Sequence, residues 1–138
     1  MVQITAAALF LKNRMVLLEK RNAKEDNYAG YWAFPGGHKR KKEKIEHTLK
    51  REMREELKVK ILEYVYLGKF SDKDPTSEKL YIHNAFLCIK WKNGKFGKNL
   101  RWFKPKDIMG KKSFQGAKFR KIDIKILGKL IAFKGKKL

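Results

Sequence analysis

The chain has 138 residues with 35 Lys and Arg against 14 Asp and Glu, a net charge of +21, and 43% hydrophobic content. One compact domain over residues 1–138 is expected at that length, and the apolar content excludes a disordered tail. The longest apolar stretch, residues 4–11, is too short to span a membrane, and no basic stretch precedes it as in a secretory leader. Cys88 is the only cysteine, which excludes an intramolecular disulfide and agrees with a reducing, cytoplasmic setting.

In chain order, residues 2–11 and 14–20 predict two strands around a polar Lys12–Asn13 turn, together a hairpin. Residues 21–30 are polar and predict a loop. Trp32, Ala33 and Phe34 alternate large and small groups, and Pro35-Gly36-Gly37 then interrupts any strand. Over residues 45–57, Ile45, Leu49, Met53 and Leu57 recur four apart among good helix formers, which predicts a helix. Residues 60–70 and 79–91 are rich in β-branched and aromatic side chains and predict strands, followed by a shorter one over 100–103. A helical stripe returns in Phe119, Ile122, Ile126, Leu127, Leu130 and Phe133, with Lys121, Lys125 and Lys129 as a basic row beside it. Strands mixed with at least two packed helices imply an α/β-type sandwich.

The chemistry concentrates in residues 36–57. On the helix, Glu52, Glu55 and Glu56 are spaced i, i+3 and i+4 and share one face, while Lys50, Arg54 and Lys58, with His47, take the opposite side. Like charges held together cost repulsion and desolvation unless a cation compensates. Hard divalent ions take carboxylate oxygens and bridge them to phosphates. Gly36 and Gly37 allow a tight turn and close backbone approach, so that a main-chain carbonyl can join such a shell. The arrangement points to metal-assisted attack on a phosphate chain.

The run from Gly37 through Glu43 to Arg51-Glu52-Met53-Arg54-Glu55-Glu56-Leu57-Lys58-Val59 resembles the Nudix box, GX5EX7REUXEEXGU with U apolar. Residues 32–37, Trp-Ala-Phe-Pro-Gly-Gly, also resemble the family's lead-in. The departure is Lys58, where the family usually has the glycine that ends the helix in a left-handed cap. The resemblance implies an α/β/α sandwich with a mixed central sheet, and hydrolysis of a nucleoside diphosphate linked to another moiety, with Mg²⁺ or Mn²⁺ bound. It implies Glu55 and Glu56 as metal ligands, and Glu52 as a further ligand or the group that orients water. Gly36 would offer its carbonyl to the metal, and Glu43 and Arg51 would brace the loop and helix. A MutT-like nucleoside-triphosphate pyrophosphohydrolase is the expected member. ADP-ribose, dinucleoside polyphosphates or capped RNA are alternative substrates, and a non-catalytic nucleic-acid-binding module is the rival from another class.

Many members of the family use an additional acid outside the box. Asp72, Asp74 and Glu78, in the segment before the second long strand, are the available candidates for an extra base. For substrate binding, Arg21, Tyr28, Phe34, His38 and Asn84 are candidates, with Trp32 and Phe86 as further rings for stacking on a base. Residues 111–138 hold ten basic groups against Asp123 alone, so the last helix is also a candidate RNA contact.

Overall fold

A computed structural model describes residues 2–22, 28–73 and 78–137. They form two compact units, the first of Met1–Phe10 with Pro35–Lys95 and the second of Leu11–Phe34 with Phe96–Leu138.

In the first unit, β1 (Val2–Lys12) pairs in parallel with β6 (Leu80–Asn93), from Val2↔Leu80 to Phe10↔Cys88. On its other side β1 takes β4 (Gly36–His38) antiparallel, with Thr5 opposite His38 and Ala7 opposite Gly36. The two glycines therefore lie in a strand, whereas their composition predicts a break. Pro35 does interrupt the chain, but its carbonyl accepts from the Ala8 amide at 2.8 Å and so feeds β4 onto β1. Strand β5 (Val59–Lys73) closes the far edge antiparallel to β6, with irregularities between Ile61 and Glu63 and between Tyr66 and Gly68. Helix α1 (Ile45–Leu57) has the bounds that its apolar period predicts, and packs on β4 and β5 through buried Leu49, Met53 and Leu57. Phe10, Phe86 and Leu9 are among the fully buried side chains of this unit, and Phe10 meets Trp91 edge to face at 5.1 Å.

In the second unit, the end of β1 turns through Asn13 and Arg14, both at positive φ (52° and 63°), into β2 (Met15–Lys20). Two successive left-handed residues make the turn whose twist suits a tight hairpin. It falls one residue later than the polar pattern suggests. Strand β2 carries β3 (Trp32–Ala33) and β7 (Leu100–Phe103) as antiparallel partners. A ring row follows, Trp32 to Phe103 at 6.0 Å and Phe103 to Phe119 at 5.5 Å. The short helix α2 (Pro105–Ile108) and the hairpin of β8 (Ser113–Phe114) and β9 (Ala117–Lys118) were not anticipated, because elements of two to four residues carry no readable period. Helix α3 (Lys121–Lys137) buries Ile122, Ile126, Leu127 and Leu130. Phe119 belongs to the same apolar stripe but precedes the helix, in a bridge to Trp32. Parallel and antiparallel pairings mixed with packed helices place the fold in the α/β class. Among the described residues no helix is long and apolar enough to cross a membrane.

Candidate active site

The box residues all belong to the first unit. Helix α1 starts at Ile45 without a side-chain cap, and the loop before it brings Glu43 back beneath the helix. There Glu43 and Arg51 form a two-point contact: Arg51 Nε donates to Glu43 Oε2 at 2.7 Å and Nη2 to Oε1 at 3.0 Å. Thr48 Oγ1 donates to the same carboxylate at 2.7 Å and the Arg40 amide at 3.1 Å. Hydrogen bonds from Arg51 lead in holding the Glu43 carboxyl well below the usual carboxylate range; burial opposes them, and Thr48 and the Arg40 amide assist.

Arg51 is only 5% exposed, so its donors need partners. Beyond Glu43, Nη2 reaches the His38 carbonyl at 3.0 Å, and Nη1 reaches Glu52 Oε1 at 2.8 Å and Glu55 Oε2 at 3.5 Å. One guanidinium thus ties the loop, β4 and two helix carboxylates together. Its pKa is raised, first by the Glu43 hydrogen bonds, against burial, and then by Glu52. Thr48 and Arg40 are participants the sequence reading missed. Arg40 Nη2 also stands 3.8 Å from Glu55 Oε1, both side chains being largely exposed.

The glycines explain how the carboxylates come close to the backbone. A Cβ at Gly37 would overlap Cγ, Cδ and Oε2 of Glu52, and one at Gly36 would overlap the backbone of Ala6. Glu52 is therefore packed against bare main chain, while Glu55 and Glu56 are exposed. Among the described residues, no group of three His, Cys, Asp or Glu stands arranged to hold a metal ion. Arg51 supplies the compensating cation between Glu43, Glu52 and Glu55. The donor chemistry fits a hard divalent ion nonetheless: three carboxylates on one helical turn, two of them exposed, beside main chain that no Cβ covers.

The helix leaves this site through Lys58, which takes the left-handed conformation (φ 57°, ψ 31°) and returns its amide to the Met53 carbonyl. Lysine thus adopts the geometry for which glycine is the usual choice. Its Nζ donates to the Glu55 carbonyl at 3.1 Å.

Other sequence candidates fall in different places. In the first unit, Asn84 is buried; its amide donates to the Thr5 carbonyl at 3.3 Å and its oxygen accepts from Tyr66 Oη at 2.8 Å. The Tyr66 hydroxyl is pushed up by burial and then by Glu46. His83 Nδ1 pairs with Thr5 Oγ1 at 2.7 Å, and the His38 ring lies 6.5 Å from Tyr81. Asp72 is half-buried at the end of β5, opposite Tyr81, and Glu78 is exposed with Lys73 Nζ at 3.9 Å. Asp74 lies outside the described residues. In the second unit, the Arg21 amide donates to the Tyr31 carbonyl at 2.7 Å, and the Arg120 guanidinium lies 5.8 Å from the Tyr28 ring centre. Phe34 is buried, and its amide reaches Asp123 Oδ1 at 3.3 Å.

The chain is similar to known proteins in sequence and in fold. The NUDIX domain family model matches residues 1–122. Nucleoside triphosphatase NudI of Escherichia fergusonii is 36% identical over 95 residues, covering 59% of this chain and 67% of that protein. An 8-oxo-dGTP diphosphatase of Proteus vulgaris is 28% identical over 92 residues, covering 67% and 80%. Among solved structures, a MutT NUDIX hydrolase from Burkholderia pseudomallei superposes with a TM-score of 0.80 at 20% identity, covering 94% of this chain and 98% of that one. The E. coli ORF135 protein gives 0.77 at 22%, covering 98% and 92%. At those identities the structures speak for the fold. Nudix enzymes act on small-molecule nucleotides and generally use divalent cations. With the box residues, the fold and the family match in agreement, the chain belongs to the Nudix hydrolases and is a MutT-like pyrophosphohydrolase.

Proposed function

We propose that the chain, as one Nudix domain over residues 1–138, is a cytoplasmic, Mg²⁺-dependent hydrolase that cleaves a nucleoside triphosphate to the monophosphate and pyrophosphate. The observation that carries this reading is the Glu52 carboxylate, fixed by Arg51 at 2.8 Å and packed on Gly37 where no side chain fits. The printed activities of the two relatives, a nucleoside triphosphatase and an 8-oxo-dGTP diphosphatase, support the triphosphate as substrate.

In this reading the Gly36 carbonyl, Glu52, Glu55 and Glu56 would hold Mg²⁺ or Mn²⁺. When bound, the ion supplies charge neutralisation on the phosphate chain and activation of water. The chain's own residues do the rest. Glu43 holds Arg51, and Arg51 holds Glu52 Oε1, which leaves Glu52 Oε2 beside Gly37 to orient the attacking water. Glu55 and Glu56 are exposed on the same helical turn. Asp72 and Glu78 are the proposed sources of an additional base. His38 and Asn84, in the same unit as the box residues, are the proposed substrate contacts.

The test is a hydrolysis screen over nucleoside triphosphates, 8-oxo-dGTP, ADP-ribose, dinucleoside polyphosphates and capped RNA, with Mg²⁺, Mn²⁺ or chelator. A triphosphate is expected to turn over fastest, with loss of activity in chelator. Glu56→Gln is expected to lose about 100-fold or more in kcat while keeping its melting temperature. Fastest turnover of ADP-ribose or capped RNA would replace the substrate assignment, and full activity in Glu56→Gln would overturn the site.

A further inference from the structure

The charge of the molecule is unequally shared. The second unit carries 19 basic residues against 5 acidic ones, and the first 16 against 9. From residue 111 onward the sole acid is Asp123. It does not offset the surface charge, because it is 3% exposed and bound by Arg120 Nε at 2.6 Å.

On α3, Lys121, Lys125 and Lys129 are all exposed and recur at i, i+4 and i+8. At a rise of 1.5 Å per residue they repeat every ~6 Å along the helix, comparable to the spacing of successive phosphates along one nucleic-acid strand. Like charges at i, i+4 cost roughly 0.2–0.5 kcal/mol per pair. This face keeps the repulsion, and a polyanion would relieve it.

The hairpin that leads into α3 adds a ring. Lys111 Nζ lies 5.3 Å from the half-buried Phe114 ring, and Lys118 is exposed on the following strand. Both this hairpin and α3 pack beside α2. Lysines interleaved with an accessible ring suit a strand whose bases can stack. A membrane surface is less well matched, because α3 turns its apolar stripe inward and leaves Ile131 as its exposed large aliphatic residue.

We propose that the second unit binds a single-stranded nucleic acid, its backbone along Lys121, Lys125 and Lys129 and a base against Phe114. This goes beyond the hydrolytic reading and does not depend on it, since the carboxylate cluster belongs to the first unit.

The experiment is fluorescence anisotropy of a labelled single-stranded RNA against salt concentration, with a duplex of the same length and anionic phospholipid vesicles in parallel. Lys121, Lys125 and Lys129 are changed together to Gln, and, as a charge-matched control, Lys60, Lys90 and Lys92 of the first unit are changed likewise. Neutralising the α3 row is expected to weaken RNA binding on the order of tenfold. It should also make the slope of log K against log salt shallower by about 2, from three lost contacts at about 0.7 each. The control should change both far less. Phe114→Ala should weaken the single strand more than the duplex. Equal effects of the two triple variants would reduce the binding to diffuse charge and overturn the proposal. So would absence of RNA binding by the parent, or binding to vesicles alone. Circular dichroism and nucleotide hydrolysis establish that each variant is folded. If the α3 variant does not fold, the pair Lys125→Gln, Lys129→Gln takes its place, with a slope shallower by about 1.4 from two lost contacts.

Discussion

Arg51 and Glu43 meet through two hydrogen bonds, Nε to Oε2 at 2.7 Å and Nη2 to Oε1 at 3.0 Å, and that contact sets the position of Glu52. Once Glu43 holds one edge of the guanidinium, Nη1 has a fixed direction, and Glu52 Oε1 lies 2.8 Å along it. Arg51→Lys keeps the charge but loses the planar fork. It should lower kcat/KM by roughly 10–100-fold, the usual effect of removing a residue that orients a ligand, and should also lower the melting temperature. Steady-state kinetics beside a thermal melt measure both; unchanged kinetics would show that the fork is only structural.

The same contact gives a pH dependence of stability. The folded Glu43 carboxyl titrates below its ordinary value, held there chiefly by Arg51. Its contribution is fully present above the unfolded pKa, about 4.3, and is lost as pH falls through the lower folded value. Denaturant unfolding at successive pH values should therefore show stability declining below about pH 4 in the parent, and a smaller decline in Glu43→Gln. Parallel curves for the two proteins would remove Glu43 from the account of acid sensitivity.

Gly36 and Gly37 should respond differently to alanine. At Gly37 the added methyl meets the Glu52 side chain, which can move; at Gly36 it meets the Ala6 backbone, which is held in β1 between β4 and β6. Gly37→Ala is expected to fold but to lose about 100-fold or more in kcat, by displacing the carboxylate. Gly36→Ala is expected to lower the melting temperature and the yield of folded protein, because neither strand can yield without breaking its pairing. Comparing the two melts separates a misplaced side chain from a misplaced strand.

Much of this arrangement is legible in the sequence, and the remainder has identifiable physical causes. The apolar period of Ile45, Leu49, Met53 and Leu57 marks α1 to the residue, because a helix buried on one face must repeat its hydrophobes. Strand β4 was hidden by two glycines, whose value lies in the close approach of β1 and Glu52 and not in any strand propensity. The resemblance assigns Arg51 a bracing role, but its reach to Glu43, His38, Glu52 and Glu55 at once depends on the loop's path, which local pattern does not encode. The bond between Tyr66 and Asn84 joins residues 18 apart through a bulged register, which no spacing rule anticipates.

Cys88 should behave as a buried reporter and not as a reactive thiol. It is fully buried in β6, and burial pushes its thiol up to about 12. Alkylation at mildly alkaline pH should be slow in the native protein and complete in denaturant, since the thiolate is the reacting form. Rapid modification of the native chain, measured by mass spectrometry, would mean that β6 opens locally.

Lys58 marks the departure from the family pattern and gives the opposite kind of prediction, a gain. A non-glycine residue in the left-handed region costs roughly 1–2 kcal/mol, while glycine loses about 0.5–1 kcal/mol through the entropy of the unfolded chain. The difference favours Lys58→Gly by about 0.5–1 kcal/mol, since the cap from residue 58 to the Met53 carbonyl uses only backbone. The bond lost, from Nζ to the Glu55 carbonyl, is exposed and contributes little. Activity should stay within about twofold of the parent, because Glu52, Glu55 and Glu56 lie within the helix before this residue. A variant that melts lower, or that loses activity with the carboxylates intact, would show instead that the Lys58 side chain helps to hold the last turn under Glu55.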